Sequence, residues 1–390
     1  MVGGGDGAFI GAVHRMAARL DDEFELVAGA LASTPARARS SAAALRLPLE
    51  RSYDDYATMA ARERARADGI DVVAIVTPND SHRAIATAFL DAGIHVVCDK
   101  PLTTSLADAA DLVARVARSG LLFALTHNYS GYPMVRQARA MVAAGALGTV
   151  RTVQVEYAQE WLSTALEATG QKQATWRTDP TRSGPAGCLG DIGTHAFHLA
   201  EFVSGLSCTE VAAELSTFVD GRRLDDNAQL LLRFAGGARG ALWVSQVAPG
   251  SQNALRIRVF GDAAGLAWEQ EHPDRLTIAR LGAPPETIVR GGPGAGPAAA
   301  HATRIPGGHP EGYVEAFAQI YRDFAEQLQA RAAGRAPDPR ALLVPTVADG
   351  FRGVALVAAA LDSSRRNGTW TALAALPASS KIQEHLHSDP

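Results

Sequence analysis

The sequence has few cysteines, no long apolar run and no excess of charge of either sign. Its only cysteines are Cys98, Cys188 and Cys208, too few and too widely spaced for a disulfide framework or a cysteine metal site. No apolar segment approaches the roughly 20 residues that span a bilayer, and we expect no signal peptide. A formal net charge of −4 gives no electrostatic reason to expect a nucleic acid or an anionic membrane as partner. These absences indicate a soluble globular protein of a reducing compartment, which we expect to be the cytoplasm.

The first third of the chain alternates short apolar runs with Ala-rich amphipathic segments. At roughly 150 residues per domain, its length predicts two domains, and this alternation belongs to the first. Strands are predicted at 24–31, 71–77, 94–99 and 121–127, and helices at 35–46, 55–67, 81–92 and 105–119. Continuous apolar strands separated by helices predict an α/β fold with a doubly wound parallel sheet, which binds ligands at the carboxyl ends of its strands.

After about residue 148 the predicted strands follow one another without helices, which favours an antiparallel sheet with one face solvated or in contact. These strands are predicted at 150–158, 210–218, 227–234, 238–247, 255–260, 264–270 and 275–281. Residues 291–302 are predicted to form a loop, and two closing helices are predicted within 311–333 and 346–365. We therefore expect a parallel-sheet domain at 1–127, a second α/β domain at 128–373 and a flexible tail at 374–390.

The chain opens with "MVGGGDGAFIGAVHR", a glycine-rich stretch that leads into a segment of helical period. Dinucleotide-binding turns need glycine at three positions. The first is the tight turn itself, the second is the point where the backbone approaches the pyrophosphate, and the third is the point where the helix packs on the strand. The following helix offers its N-terminus to the phosphates. The residues that we assign to this phosphate site are Gly3, Gly5, Gly7, Ala8, Phe9 and Ile10, with Gly11 as the packing glycine.

Only Met1 and Val2 precede these glycines, although the first strand of such a sheet should be its central one. The loss of a central strand would leave the backbone groups of its neighbours without partners. We therefore expect the first strand to be truncated in this sequence, and the native chain to begin several apolar residues earlier. The alternative is a real truncation that weakens the cofactor domain.

The residues expected to contact the cofactor ribose include no acid. An acidic residue there would bind the 2′-hydroxyl of NAD, whereas this segment supplies Ser33, Thr34 and Arg37. Hydroxyl groups and a guanidinium can receive a 2′-phosphate through charge-assisted hydrogen bonds. The cofactor is thus expected to be NAD or NADP, with a modest preference for NADP. In the alternative interpretation Ser33 and Thr34 only begin the next helix, with Pro35 at its first position.

Two further stretches carry residues suited to catalysis. "HVVCDKPLTTS" places Lys100 just past a parallel strand, at the edge where ligands bind. "GDIGTH" places Asp191 and His195 four residues apart, on one face if the segment is helical. A carboxylate beside an imidazole is a working acid–base pair. The histidines outside these stretches lack the partner spacing of a metal site, and His14 is expected to be structural or to face solvent, so no metal is predicted.

Together, the glycine loop, "TPNDSH" (77–82), "DKP" (99–101) and "GDIGTH" (190–195) resemble the Gfo/Idh/MocA oxidoreductases over residues 1 to about 373. The resemblance implies an N-terminal Rossmann domain and a C-terminal α/β domain with an open, mostly antiparallel sheet. It also implies NAD(P)-dependent oxidation or reduction of a sugar, inositol or related polyol, and homodimers or homotetramers that pack through the open sheet.

Carried over by position, the resemblance makes Lys100, Asp191 and His195 the catalytic residues. It further implies that a second group of residues contacts the cofactor, namely Thr77, Pro78, Asn79, His82, Asp99, Lys100, Pro101 and Asn128. The family's lysine motif usually begins with glutamate, and Asp99 shortens that carboxylate by one methylene.

Several residues near these motifs could contact a sugar. Besides the three catalytic residues, the candidates for substrate binding are Tyr129, Tyr132, Arg136, Trp176 and Arg177. Core packing is at least as good an explanation for Tyr132 and Trp176, and Arg136 and Arg177 could be surface or interface groups.

The predicted reaction is hydride transfer between a secondary alcohol carbon and nicotinamide C4. In the oxidation direction His195 would take the hydroxyl proton, Lys100 would stabilise the charge that develops on the same oxygen, and Asp191 would orient the substrate or His195. The roles of Lys100 and His195 are exchangeable at this point. The alternatives are an NAD(P)-dependent glycosidase of the same fold and a non-catalytic dinucleotide-binding sensor.

Overall fold

A computed structural model describes residues 1–377 and divides the chain into two compact units. The first unit contains Met1–Thr126 and Phe317–Phe351, together with residues 375–377. The second unit contains His127–Ala316 and Arg352–Ala374. Most of the predicted tail, residues 378–390, lies outside the described residues.

The first unit has a four-stranded parallel sheet in the order β1-β2-β3-β4. Its strands are β1 (Val2–Gly3), β2 (Val72–Val76), β3 (His95–Cys98) and β4 (Phe123–Leu125). Its first five helices are α1 (Phe9–Leu20), α2 (Pro35–Ala44), α3 (Tyr56–Arg64), α4 (His82–Asp91) and α5 (Leu106–Ser119). Residues of β3 and β4 are almost completely buried, as continuous apolar strands between helices require. The predicted doubly wound parallel sheet is confirmed.

One predicted strand of this unit was wrong. Residues 24–31 form no regular strand, and only Gly29 and Ala30 make isolated parallel bridges, to Ser52 and Val2. The apolar pattern identified a buried segment, but a strand also needs a partner along its length. Strand β1 offers two residues, so the ladder stops after one bridge on that side.

The two units divide between Thr126 and His127, and the chain later returns to the first unit. Helix α11 (Tyr313–Ala332) belongs to that unit from Phe317 onward. The Nδ1 atom of His14 lies 2.8 Å from the Tyr321 hydroxyl, and the amide of Leu125 donates to the carbonyl of Pro345. Residues 317–351 therefore complete the core of the first unit, and their assignment to the second domain was wrong.

The second unit has a nine-stranded sheet in the order β12-β11-β10-β9-β5-β8-β7-β6-β13. All neighbouring strands are antiparallel except β5 and β8, which are parallel. The strands are β5 (Val150–Ala158), β6 (Cys208–Ser216), β7 (Asn227–Phe234), β8 (Arg239–Ser245), β9 (Ala254–Gly261), β10 (Ala264–Glu269), β11 (Arg275–Arg280), β12 (Glu286–Val289) and β13 (Thr371–Ala372). The last two were not predicted.

Helices α6 (Pro133–Ala143) and α9 (Thr194–Ser204) pack on one face of this sheet, and α10 (Pro297–Ala302) packs on α6. The part of α12 (Val347–Arg365) from Arg352 onward joins the same core, while the short helices α7 (Lys172–Arg177) and α8 (Pro180–Ser183) pack against each other. Along β7 buried and exposed residues alternate, so the apolar row packs under the helices and the other row faces outward. The predicted open, mostly antiparallel sheet is confirmed.

The segment predicted as the loop 291–302 contains helix α10. Its Ala299 and Ala302 are fully buried, and the amide of Gly296 donates to the Gln137 side chain at 2.8 Å. Pro297 stands at the first helical position, where its missing N–H costs nothing. A run of glycine, proline and alanine is typical of a loop, which is why a loop is predicted here. In the structure the small alanine side chains instead allow close helix packing.

One segment, Pro339–Arg365, is long and apolar enough to cross a membrane by length and composition alone. Of its apolar window, 67% is buried inside the protein, as in a core helix of a globular domain.

Candidate functional site

The glycine loop of the first unit brings backbone into close contact with backbone. A Cβ atom on Gly5 would lie 2.6 Å from the carbonyl oxygen of Leu31, and one on Gly11 would overlap the Cα atom of Gly4. Gly7 has a φ of 72°, and no atom of the described chain lies within 4 Å of its ideal Cβ position. Gly5 and Gly11 are therefore required by packing, whereas Gly7 leaves the loop open to a ligand.

Helix α1 begins next to this open position without a side-chain cap. Its N-cap is Ala8, which makes no side-chain capping hydrogen bond within the described chain, and Phe9 is 66% exposed. The first amide groups of a helix have no partner inside the helix, and they attract anions. The loop and the helix start thus fit a pyrophosphate, as predicted for Gly3, Gly5, Gly7, Ala8, Phe9 and Ile10.

The expected ribose segment is exposed and carries no acid. Thr34 is the N-cap of helix α2, and Pro35 occupies its first position. Ser33, Thr34 and Arg37 are all exposed. The segment therefore does begin the next helix, and its hydroxyl and guanidinium groups also remain accessible.

The ends of the parallel strands bring the remaining predicted cofactor residues of this unit to one edge of the sheet. Thr77 and Pro78 follow β2, and Asp99 and Lys100 follow β3. The hydroxyl of Ser81 donates to the Thr77 hydroxyl oxygen at 2.7 Å. The Lys100–Pro101 peptide bond is cis. Parallel strands share a direction, so these turns lie on the same side as the glycine loop that follows β1.

His82 connects two of these turns. Its ring is fully buried, with Nδ1 2.8 Å from the carbonyl oxygen of Pro101 and Nε2 2.9 Å from that of Thr77. Both ring nitrogens thus face the backbone. His82 is predicted to contact the cofactor. In the structure its ring instead contacts the backbone of the turns after β2 and β3 and connects them. Asn79, in the same segment, is also buried.

In the second unit, "GDIGTH" forms a π-helical turn followed by helix α9. The turn spans Leu189–Gly193, and the amide of Thr194 donates to the carbonyl of Leu189, five residues back. The prediction of one α-helical face for Asp191 and His195 is therefore wrong in detail, because Asp191 lies in the wider turn and His195 in the first turn of α9. Such turns occur often at functional sites.

The carboxylate of Asp191 is held by two donors. Arg177 Nε lies 3.3 Å and Gln246 Nε2 2.9 Å from the same oxygen, Oδ2. The Arg177 guanidinium also lies over the Trp176 ring, 4.3 Å from its centroid. Arg177 and Trp176, predicted to bind substrate, therefore position Asp191 in the structure.

Aromatic rings surround His195. Tyr129 meets it edge-on with centroids 4.9 Å apart, and Tyr157 lies at 6.4 Å. The Nδ1 atoms of His195 and His127 are 3.5 Å apart, and His198 stacks on His127 at 4.5 Å. His195 is only 6% exposed. His198, which the sequence motifs do not mark, joins this cluster through His127.

Three other predicted residues of the second unit are buried. Tyr132 is 1% exposed, and its hydroxyl accepts a hydrogen bond from Gln270. Arg136 is equally buried, and its Nε donates to the carbonyl of Ser130. The placement of Tyr132 favours the core-packing interpretation over substrate contact, and the burial of Arg136 argues against a surface group. Asn128 is fully buried, and neither polar atom of its amide group has a hydrogen-bond partner within the described chain.

The site also contains polar residues that were not predicted. Gln246 Nε2 lies 3.3 Å from Gln159 Oε1, and Gln159 Nε2 donates to Asn253 at 2.8 Å. Asn253 also accepts from the Tyr157 hydroxyl at 2.6 Å. Gln159 and Gln246 directly follow β5 and β8, the one parallel pair of this sheet, so both side chains leave at the same edge. No local motif marks them, because their proximity depends on pairing between strands far apart in sequence.

Asp225 anchors the start of the π-helical turn and was also missed. Its carboxylate accepts hydrogen bonds from the amides of Gly187 at 2.6 Å and Leu189 at 2.8 Å. Burial raises the pKa of this carboxyl group, and the two amide bonds act in the opposite direction. Asp225 thereby fixes the segment that carries Asp191.

Comparison with known proteins supports an oxidoreductase. Residues 1–127 match the oxidoreductase family with an NAD-binding Rossmann fold, and residues 135–267 match the GFO/IDH/MocA C-terminal domain. An oxidoreductase from Sinorhizobium meliloti is 51% identical over 95% of this chain and 98% of its own, with a TM-score of 0.86. The chain belongs to the Gfo/Idh/MocA family.

Other members of the Gfo/Idh/MocA family carry more specific names. An inositol dehydrogenase homologue from Azotobacter vinelandii, solved with NAD+, is 38% identical, with a TM-score of 0.90 over 95% of this chain and 96% of its own. A second structure of that homologue holds NADH and myo-inositol. Levoglucosan dehydrogenase from Pseudarthrobacter phenanthrenivorans is 28% identical over 72% of this chain and 75% of its own. The predictions of the family, of the oxidoreductase class and of NAD binding are confirmed.

Among residues 1–377 there is no group of three or more histidine, cysteine, aspartate or glutamate residues that could hold a metal ion. The glycine loop and the start of α1 fit the diphosphate of a nicotinamide cofactor.

Proposed function

We propose that this protein oxidises a secondary hydroxyl group of an inositol, a sugar or a related polyol. The observation that carries the proposal is the cluster around His195, in which a buried imidazole lies among aromatic rings and amide side chains near a firmly held carboxylate. Such a surface offers ring faces and several hydrogen-bonding groups to a polyhydroxylated ring. The inositol and levoglucosan dehydrogenases among its relatives act on molecules of this kind.

In this proposal the cofactor supplies a hydride acceptor, and the protein manages the proton. His195 takes the proton of the substrate hydroxyl as general base. Lys100 donates a hydrogen bond to the same oxygen and stabilises the negative charge that develops on it. Asp191, held by Arg177 and Gln246, accepts a hydrogen bond from a substrate hydroxyl and orients the ring.

The cofactor proposal has two parts. In the first part, the dinucleotide binds with its diphosphate at the glycine loop. In the second part, NADP is preferred over NAD because Arg37, Ser33 and Thr34 receive the 2′-phosphate. Comparing kcat/KM for NAD and NADP in the wild type and in Arg37→Ala tests the second part. Loss of NADP use alone supports it, and equal kcat/KM ratios before and after the change contradict it. Arg39→Ala, on the same exposed helix, is the control.

The reaction is tested with the purified protein, both cofactors and a panel of inositols, aldoses and anhydrosugars. We expect His195→Ala and Lys100→Met to lower kcat by roughly 100-fold or more. In His195→Ala the cofactor Kd from calorimetry should stay nearly unchanged. His309→Ala removes an exposed imidazole and should leave kcat unaltered. Full turnover in either site variant would remove that residue from the mechanism.

We also propose that the protein works as a homodimer or homotetramer in the cytoplasm. The outward face of the nine-stranded sheet supports the oligomer, because it surrounds a hollow of about 1130 Å³ lined by both apolar and charged side chains.

A further inference from the structure

A buried chain of polar groups in the first unit ends at the carboxylate beside Lys100. The ring of His14, on helix α1, is fully buried, and its Nδ1 lies 2.8 Å from the hydroxyl of Tyr321. On its other side Nε2 lies 4.0 Å from Oδ1 of Asp99. The same carboxylate oxygen accepts a hydrogen bond of 2.8 Å from the hydroxyl of Thr126.

Burial determines the protonation states of His14 and Tyr321. Desolvation lowers the pKa of His14 to about 4, and the nearby Asp99 carboxylate offsets this only in part. Burial raises the pKa of Tyr321, so its hydroxyl keeps its proton. His14 is therefore neutral near pH 7 and carries a single N–H.

The position of that hydrogen follows from the two neighbours. If Nδ1 carried it, the lone pair of Nε2 would face the Asp99 carboxylate, which is repulsive. If the Tyr321 hydroxyl donates to Nδ1, the hydrogen lies on Nε2 and faces the carboxylate, which is attractive. The second arrangement is favourable at both nitrogens, with a hydrogen bond at Nδ1 and an electrostatic attraction at Nε2. At 4.0 Å the contact is longer than a hydrogen bond, and Nε2 has no hydrogen-bond partner within residues 1–377.

We propose that His14 and Tyr321 are positioning residues for the Asp99–Lys100 turn. The imidazole N–H draws the Asp99 carboxylate toward α1, while Thr126, the residue after β4, holds the same oxygen. Helix α1 also begins at the glycine loop. The contacts from Tyr321 through His14 to Asp99 therefore connect the turn that carries Lys100 to the helix proposed to meet the cofactor diphosphate. The inference rests on the proposed role of Lys100 at the substrate oxygen.

The chain can be interrupted with little loss of packing. Tyr321→Phe removes only the hydroxyl that fixes the His14 tautomer. His14→Phe removes the N–H but keeps a ring against Phe317, whose centroid lies 5.1 Å from that of His14. His14→Gln returns an amide donor at about the distance of Nε2 and serves as the rescue.

We expect both Phe variants to lower kcat by roughly 10- to 100-fold, with the cofactor Kd changed less than threefold. The alkaline limb of the pH profile of kcat/KM should also move, because the Asp99 carboxylate then faces no imidazole N–H from α1. His14→Gln should recover most of kcat and return the limb towards its wild-type position.

The outcomes separate this inference from the proposed function. If Lys100→Met loses activity while both Phe variants keep the wild-type kcat and pH profile, the positioning role is wrong and the function stands. If Lys100→Met is fully active, the assignment of Lys100 fails first. If only the melting temperature falls, with no movement of the pH limb and no rescue by His14→Gln, His14 is structural and the inference is overturned. Tyr321→Phe decides alone if His14→Phe does not fold.

Discussion

At the scale of single residues, the candidate site depends on side chains that hold other side chains. Asp191 keeps its orientation through Arg177 and Gln246, and the turn that carries it starts at Asp225. The motifs in the sequence identified the acid and the imidazole, since their spacing and flanking glycines are local features. Gln246 and Asp225 could not be identified in this way, because each acts through a contact with residues far away in the chain.

The role of Gln246 can be tested directly. Gln246→Leu removes the donor at 2.9 Å from Asp191 and leaves Arg177 in place as a donor to the same oxygen. The carboxylate becomes less well oriented, so we expect kcat/KM for the polyol to fall by roughly 10-fold, while the cofactor Kd stays the same. Steady-state kinetics and calorimetry measure the two quantities.

The control for this change is Gln329→Leu. Gln329 is an exposed glutamine of the first unit that bonds Glu23, and its replacement should leave both quantities unaltered. An unchanged kcat/KM in Gln246→Leu would show that Gln246 does not position Asp191.

At the scale of helices and strands, sequence periodicity predicted elements that carry their own pattern. The strands β2 to β11 and the helices that alternate with β2 to β4 were located to within a few residues, because apolar runs and amphipathic stretches are local. The strand predicted at 24–31 failed because pairing depends on its neighbours. Helix α10 was not predicted because its alanine and proline composition also occurs in loops. The π-helical turn was not predicted because five residues are too few to show the period of a wider helix.

The contact between the glycine loop and α1 provides a test at this scale. In Gly11→Ala the new Cβ meets the backbone of Gly4, which cannot move as the end of a side chain can. The helix must therefore shift away from the loop, and its N-terminus no longer meets a diphosphate correctly. We expect a cofactor Kd at least roughly 10-fold weaker and a lower melting temperature.

Met16→Ala is the matched control, because Met16 is a half-exposed residue of the same helix. It should change neither the cofactor Kd nor the melting temperature beyond the small effect of a surface substitution. Wild-type cofactor affinity in Gly11→Ala would contradict the assignment of this loop to the diphosphate.

At the scale of the whole molecule, the outward face of the nine-stranded sheet is too apolar for a surface that meets only water. Leu231 on β7 is 56% exposed and Phe260 on β9 39% exposed. Around them Arg256 pairs with Glu156 at 3.4 Å and with Glu269 at 3.4 Å. Exposed apolar groups rimmed by charged pairs are typical of protein interfaces. This composition supports the proposed oligomer, in which a second copy would present the same groups in return.

Leu231→Asp tests this surface. A carboxylate buried opposite its own copy would be desolvated without a partner, so we expect the sedimentation mass to fall from an oligomer to a monomer near the chain mass of 40.9 kDa. Leu342→Asp places the same charge on a residue of the first unit that is 47% exposed, and it should leave the mass unchanged. A wild-type protein that sediments as a monomer would contradict an interface at the sheet. An oligomer that survives Leu231→Asp and dissociates with Leu342→Asp would do the same.

An interface at this face should also affect catalysis. Strands β5 and β8 cross the sheet, and Gln159 and Gln246 directly follow them, so an interface here would stiffen the strands that support Asp191. We therefore expect kcat to fall together with the mass as the protein is diluted.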